Sequence, residues 1–164
     1  MQSKGLYRII FLSVFLVGVF GTATQCRAQF SDPSASASSI PESERMQPAE
    51  LVKLLKSREA GRPLVFQVGS RMMFGQAHIP GSSFAGPGSQ TAGLRSLESK
   101  VASTAKGRLI VVYCGCCPWT RCPNIGPSYK RLRELGFTNV KALYIADNFG
   151  DDWVAKGLPT EQGQ

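Results

Sequence analysis

The chain has a single histidine, His78, in 164 residues. A metal site built from several imidazoles is therefore excluded. General acid–base chemistry has only this one imidazole to draw on, and His78 sits in Ala77-His78-Ile79-Pro80-Gly81, where ordering a turn suits it better than catalysis. Basic runs are also missing. Lys130, Arg131 and Arg133 make the one local cluster of bases, without interleaved aromatics, which suits a solvated helix face and gives nucleic-acid binding no support. Long apolar runs are scarce as well. The uncharged stretch Ile9 to Phe20 has twelve residues, short of the ~20 that a bilayer-spanning helix needs.

That short stretch has another reading. Lys4 and Arg8 precede it, and Thr22-Ala23-Thr24-Gln25-Cys26-Arg27-Ala28 follows as a small, polar segment. A positive start, an apolar middle and a small-residue end make a secretory signal peptide, with cleavage expected after Ala28. The protein is then expected in the periplasm or secreted, with no stable membrane span after cleavage. An uncleaved anchor is the alternative. A lipoprotein acylated at Cys26 ranks lower, because Gln25 is larger than the residue usual there. Cleavage leaves 136 residues, a size for one domain, and lowers the formal charge from +8 to +5, since Lys4, Arg8 and Arg27 leave without an acid.

Residues 29–47 are dominated by serine, alanine and proline, the composition of a flexible leader. The domain is expected over 48–164. Pro48-Ala49-Glu50-Leu51-Val52-Lys53-Leu54-Leu55 has proline and an acid in a first helical turn, then apolar residues at helical spacing, with Gly61 as the stop. Leu64 to Val68 reads as a buried strand. Residues 69–91 read as a long connection holding a short strand near Ser83 to Ala85, with Met72 and Met73 as packing residues. Leu94, Leu97 and Val101 mark a helix. Leu109-Ile110-Val111-Val112-Tyr113 is the strongest strand signal. A helix through Ile125, Tyr129, Leu132 and Leu135 closes on Gly136 as its C-cap. Val140 to Tyr144 is a further strand, and Trp153 a core residue in a last short helix. Helices and strands alternate without an internal repeat, the pattern of a parallel sheet covered by helices.

Cysteine is sparse and unevenly placed. Apart from Cys26 all of it falls within nine residues, as Cys114, Cys116, Cys117 and Cys122. A disulfide scaffold spreads its cysteines to staple distant segments, so this cluster points to a site, although a resting disulfide within it remains open. A strand that ends in Cys114 and runs through a loop into a helix brings loop N–H groups, including that of Gly115, and a helix N-terminus to one place, where an anion is stabilised. A cysteine there should be partly thiolate and nucleophilic. Arg121 could hold an anionic substrate through paired hydrogen bonds. Trp119 could cover the pocket or anchor the loop. Cys117 and Cys122 are accessory candidates.

From about Pro48 to Pro159 the chain resembles the rhodanese (sulfurtransferase) family. The resemblance rests on the order of several segments: the helix at Pro48 to Leu55, the strand Leu64 to Val68, Ala77-His78-Ile79-Pro80-Gly81-Ser82, Val111-Val112-Tyr113-Cys114, Leu135-Gly136-Phe137-Thr138-Asn139-Val140, and Trp153-Val154-Ala155-Lys156-Gly157-Leu158-Pro159. It implies a rhodanese-like α/β fold, with a central parallel sheet and helices on both faces. It also implies a sulfurtransferase that carries sulfane sulfur as a persulfide on Cys114, from a donor such as thiosulfate to a thiol or other nucleophilic acceptor, with no cofactor. The chain departs from the family at three points. Gln67-Val68-Gly69 stands where Asp-Val-Arg is common, and Asn148 and Phe149 stand where paired glycines are usual. The loop is also enlarged: Cys114 precedes Arg121 by seven positions where five is usual, and Cys116 has the five-residue offset, which makes Cys116 the alternative nucleophile. The six-residue offset of the phosphatase and arsenate-reductase relatives is matched only by Gly115.

Two other readings stay open. Cys114 and Cys117 form a Cys-x-x-Cys pair after a strand, which points to thiol–disulfide exchange. Alternatively Cys114, Cys116, Cys117 and Cys122 bind a soft metal such as Cu(I) or Zn(II) without catalysis.

Overall fold

A computed structural model describes residues 36–57 and 61–163. The signal segment, Cys26 and the first part of the expected leader lie outside the described residues. Five strands, all parallel, form one sheet: β1 (Arg45–Met46), β2 (Leu64–Gln67), β3 (Ser83–Phe84), β4 (Ile110–Tyr113) and β5 (Val140–Leu143), in the spatial order β1-β5-β4-β2-β3. The central strand is β4, and all four of its residues are buried. A parallel strand covered on both faces favours such an unbroken β-branched run.

Both faces are covered. Phe66, Ile110, Val112, Val140 and Ala142 point to one side and pack with Leu97 and Val101 of α3 (Thr91–Val101) and with Ile125 and Leu132 of α4 (Ile125–Glu134). Val65, Val111, Tyr113 and Leu143 alternate to the other side, against Leu51 of α1 (Pro48–Leu55) and against Phe149 and Trp153 around the short π-type turn Gly150–Val154. Trp153 is fully buried, with its indole N–H donating to the Pro159 carbonyl at 2.8 Å. The expected fold class is the one observed.

Local chemistry sets the element ends. Pro48 opens α1 in its first turn, with Glu50 beside it, where a missing N–H costs nothing and an acid meets the positive end of the helix. Gly136 takes φ +85° just after α4. Its N–H reaches the Arg133 carbonyl and that of Phe137 reaches Leu132, a Schellman closure that favours glycine at this position.

Two segments differ from the sequence reading. Residues 36–47, read as flexible leader, are part of the domain: Ala37 and Ile40 are buried in the core beneath α4 and the cysteine loop, and β1 pairs with β5, placing Arg45 opposite Ala142. Arg45 ties the segment down by donating to the Ile40 carbonyl at 2.9 Å. Each turn of this segment buries a single small or branched side chain among serines, so it has no periodicity to reveal it. Within 69–91 the chain forms α2 (Arg71–Gln76), whose one fully buried residue is Phe74. Met72, expected to pack, is 71% exposed, whereas Met73 is half-buried.

Candidate active site

Because all strands run the same way, their carboxyl ends share one edge. The chain passes from β2 outward to β3, then returns across β2 to β4, so connections leave in opposite directions between β2 and β4. In open α/β sheets that reversal opens the crevice where ligands bind. Gln67 ends β2 and Tyr113 ends β4, directly opposite each other. Here a cavity of about 230 Å³ is lined by Gln67, Met73, Ala77, Cys114, Phe149 and Val154, among others, with no charged side chain on its wall.

Gln67 holds the mouth of this cavity together. It is 2% exposed, its amide donates to the carbonyls of Ser70 and Cys114 at 3.4 Å each, and its carbonyl oxygen accepts the Gly69 N–H at 3.1 Å. Gln67 thus fastens the end of β2 to the start of the cysteine loop with neutral groups. Gly69 is needed for the same closeness, because a Cβ there would lie 2.9 Å from the Cys114 sulfur.

After Cys114 the loop turns sharply. Gly115 has φ +74° and packs on Phe149, whose N–H donates to its carbonyl at 3.0 Å. Trp119 anchors the far side. It is buried, contacts Tyr144 at 5.2 Å between ring centroids, carries the Arg45 guanidinium over its face, and donates its backbone N–H to Ala146. Trp119 is not among the residues that line the cavity. Arg121, expected to hold an anion, is exposed and also lies off the cavity wall.

The turn brings three cysteines together. The sulfurs of Cys114, Cys116 and Cys122 all lie within 4.8 Å of one another, with Cys114 and Cys116 only 3.0 Å apart. Cys114 and Cys122 are buried and Cys116 is partly exposed. Cys117 stands to one side, 3.4 Å from Cys116 and 3.8 Å from the Arg121 carbonyl. The nearest sulfur partner of Cys114 is therefore Cys116, and the Cys-x-x-Cys pairing of Cys114 with Cys117 is not the one the loop forms.

Protons divide unevenly over this cluster. Cys116 is held well below the usual thiol range, chiefly by its hydrogen bonds with Cys114 and Cys122, helped by Cys117 and by the Asn124 amide. Cys114 is pushed far up, because its S–H is engaged by Cys116 and Cys122 and because it is buried. Burial, then donation to Cys116, pushes Cys117 up to about 12. Its contact with Cys114 lowers Cys122, but its contact with Cys116 and its burial raise it, and it ends above the ordinary value. Either sulfur can be the donor in the 3.0 Å contact of Cys114 with Cys116; the one that donates keeps its proton, and its neighbour carries the charge.

Asn124 is the residue that sequence reading missed. It is 6% exposed, and its amide donates to Cys114 at 3.3 Å and approaches Cys116 at 3.7 Å. Its own oxygen accepts from the Ser89 N–H and hydroxyl at 3.1 and 2.8 Å, which fixes the amide with its N–H groups toward sulfur. Its place just before α4 reads as an ordinary cap, yet it makes no side-chain cap bond. His78 is buried: its ring stacks on Phe74 with centroids 3.9 Å apart, and Nδ1 meets the Phe74 carbonyl at 2.8 Å.

No protein-family model and no curated protein matches the sequence. Solved structures do match. The rhodanese-like domain of the Alr3790 protein from Anabaena, as a solution NMR structure, is 24% identical over 73% of this chain and 79% of that one, with a TM-score of 0.52. A crystal structure of the same Anabaena protein is also 24% identical, over 71% of this chain and 82% of that one, with a TM-score of 0.53. The fold is rhodanese-like. Within the rhodanese-like framework the departures noted in the sequence fall at the cavity: Gln67 fastens β2 to the cysteine loop, Phe149 supports Gly115, and the enlarged loop carries the cysteine trio.

Proposed function

We propose that the protein is an exported sulfurtransferase that carries sulfane sulfur as a persulfide on Cys116, with Cys114 as its buried proton-holding neighbour. The observation that carries this reading is the 3.0 Å contact between the two sulfurs. A proton shared between them leaves thiolate character on the pair, and of the two only Cys116 is partly exposed, so it has the access that a nucleophilic cysteine also needs. The five-residue offset of Cys116 from Arg121 agrees. In the first step the thiolate attacks the outer sulfur of the donor, the donor's sulfur–sulfur bond breaks, and the leaving group departs with its electron pair, as sulfite from thiosulfate or as thiolate from an organic persulfide. In the second step an acceptor nucleophile takes that sulfur and Cys116 returns to thiolate. The cavity wall carries Cys114, the sulfur in contact with Cys116, together with Met73, Ala77, Phe149 and Val154, the amides of Gln67, Gln76 and Asn148, and no charge, which favours a donor or acceptor with an apolar body over a small dianion.

Reduced protein is treated separately with thiosulfate and with an alkyl persulfide, then read by intact mass and peptide mapping. The expected result is one added sulfur on Cys116, faster from the persulfide, and lost in Cys116→Ser. Uptake that survives Cys116→Ser but not Cys114→Ser moves the carrier to Cys114. No uptake from either donor overturns the reading. Export is tested by fractionation, with a mature N-terminus expected near Gln29.

A further inference from the structure

The three crowded sulfurs have a geometry of their own. A three-coordinate ion with metal–sulfur bonds of about 2.3 Å sets its sulfurs roughly 4 Å apart. Those of Cys114, Cys116 and Cys122 lie within 4.8 Å of one another, and the Cys114–Cys116 pair, at 3.0 Å, needs to open by about 1 Å to take an ion between them. We propose that these three cysteines form an all-sulfur, three-coordinate site for a soft monovalent cation, Cu(I).

The ligands come from a stiff frame. Cys114 leaves the end of the central strand, Cys116 follows the Gly115 turn packed on Phe149, and Cys122 closes the 3-10 turn Trp119–Arg121 by its N–H to the Trp119 carbonyl. Groups that suit a negatively charged thiolate cluster surround it. The Asn124 amide faces Cys114 and Cys116, and the backbone N–H groups of Asn124 and Ile125, at the start of α4, face Cys122. Such outer donors orient ligands and offset the excess charge of a thiolate complex. Among the described residues no fourth ligand joins the trio. Cys117 lies outside the trio, and the only imidazole in the chain, His78, is engaged with the Phe74 carbonyl. Three soft sulfurs without a fourth ligand fit Cu(I) better than Zn(II), which prefers a tetrahedron. Of the four cysteines raised as metal ligands on sequence grounds, the geometry keeps three.

Binding is a ligand exchange without change of oxidation state. Three copper–sulfur bonds form, the incoming complex gives up its copper, and the protons that the three sulfurs still hold pass to solvent. The site shares Cys116 with the proposed sulfur carrier but does not depend on that reading, and copper occupancy should block sulfur uptake.

Reduced, oxygen-free protein is titrated with Cu(I) in competition with a chromophoric chelator, and the wild-type complex is examined by X-ray absorption. The expected result is one copper per chain with three sulfur neighbours. Cys117→Ser should bind as wild type, and Asn124→Ala should bind about 10- to 100-fold more weakly. Cys114→Ser, Cys116→Ser and Cys122→Ser should each lose more affinity than that, with melting curves reporting whether they fold. Failure of the wild type to compete for copper overturns the proposal, as does a copper environment of two sulfurs, or one that needs Cys117. Sulfur uptake is measured on the same preparation without copper. Uptake without copper binding refutes only the metal site, and copper binding without uptake refutes only the transferase.

Discussion

Gly115 and Phe149 meet so closely that a Cβ on the glycine would lie 2.6 Å from the Cβ of the aromatic residue. The backbone there also has φ +74°, so a side chain meets both torsional strain and a clash. Gly115→Ala should cost about 1–3 kcal/mol in urea unfolding. Because the turn aims Cys116, the variant should also lose thiol reactivity beyond what its lower stability explains. Unchanged unfolding together with unchanged reactivity would show that the loop tolerates another path.

The proton distribution predicts an order of alkylation. Cys116 has a lowered folded-state value, so its thiolate persists as pH falls below the ~8.5 of an ordinary thiol. Cys117 is pushed up to about 12 and should react only as pH rises. Peptide mapping after brief iodoacetamide treatment at pH 6 should find label on Cys116 and little elsewhere. Label first on Cys117 would reverse the assignment.

Asn124→Ala removes an amide held 3.3 Å from the Cys114 sulfur and 3.7 Å from that of Cys116. Hydrogen bonds of this kind contribute about 1 kcal/mol, so the half-point of Cys116 alkylation should move to higher pH by less than about one unit. Asn124→Asp should move it further in the same direction, since a carboxylate repels a thiolate. Alkylation profiles of the two variants that coincide with wild type would remove Asn124 from the site.

Ile40 is 2% exposed in the main core. Ile40→Ala should cost about 2–5 kcal/mol if residues 36–47 are part of the folded domain. A change within a few tenths of a kcal/mol would restore the flexible leader read from composition. For comparison, Gly136→Ala, at φ +85° with open space around it, should cost about 1 kcal/mol.

The parts of this fold that were legible in the sequence are those with a period or a chemical stop. The buried run Ile110 to Tyr113, the Leu51-Leu54-Leu55 stripe behind Pro48, and Gly136 after Leu135 each declare their element. What stayed hidden has neither. In α2, Arg71-Met72-Met73-Phe74-Gly75-Gln76 has no side-chain cap and a glycine inside, and Phe74 is its only fully buried residue. Ala37 and Ile40 reach the core from a serine-rich stretch. At the site, the strand end showed where the cysteines gather, but which sulfur keeps its proton depends on distances of 3–4 Å between side chains. Asn124 owes its part to the Ser89 contacts that fix its amide, and Ser89 lies 35 residues away.

The outermost strands, β1 and β3, are two residues long. An exposed sheet edge is a template on which another chain can add a strand, and very short edge strands deny it the length to do so. At one side that protection is supplied by Arg45–Met46, from the stretch whose composition reads as dispensable. A chain begun at Pro48 would leave the four-residue β5, Val140–Leu143, as an open edge. Its first symptom should then be self-association rather than simple loss of stability.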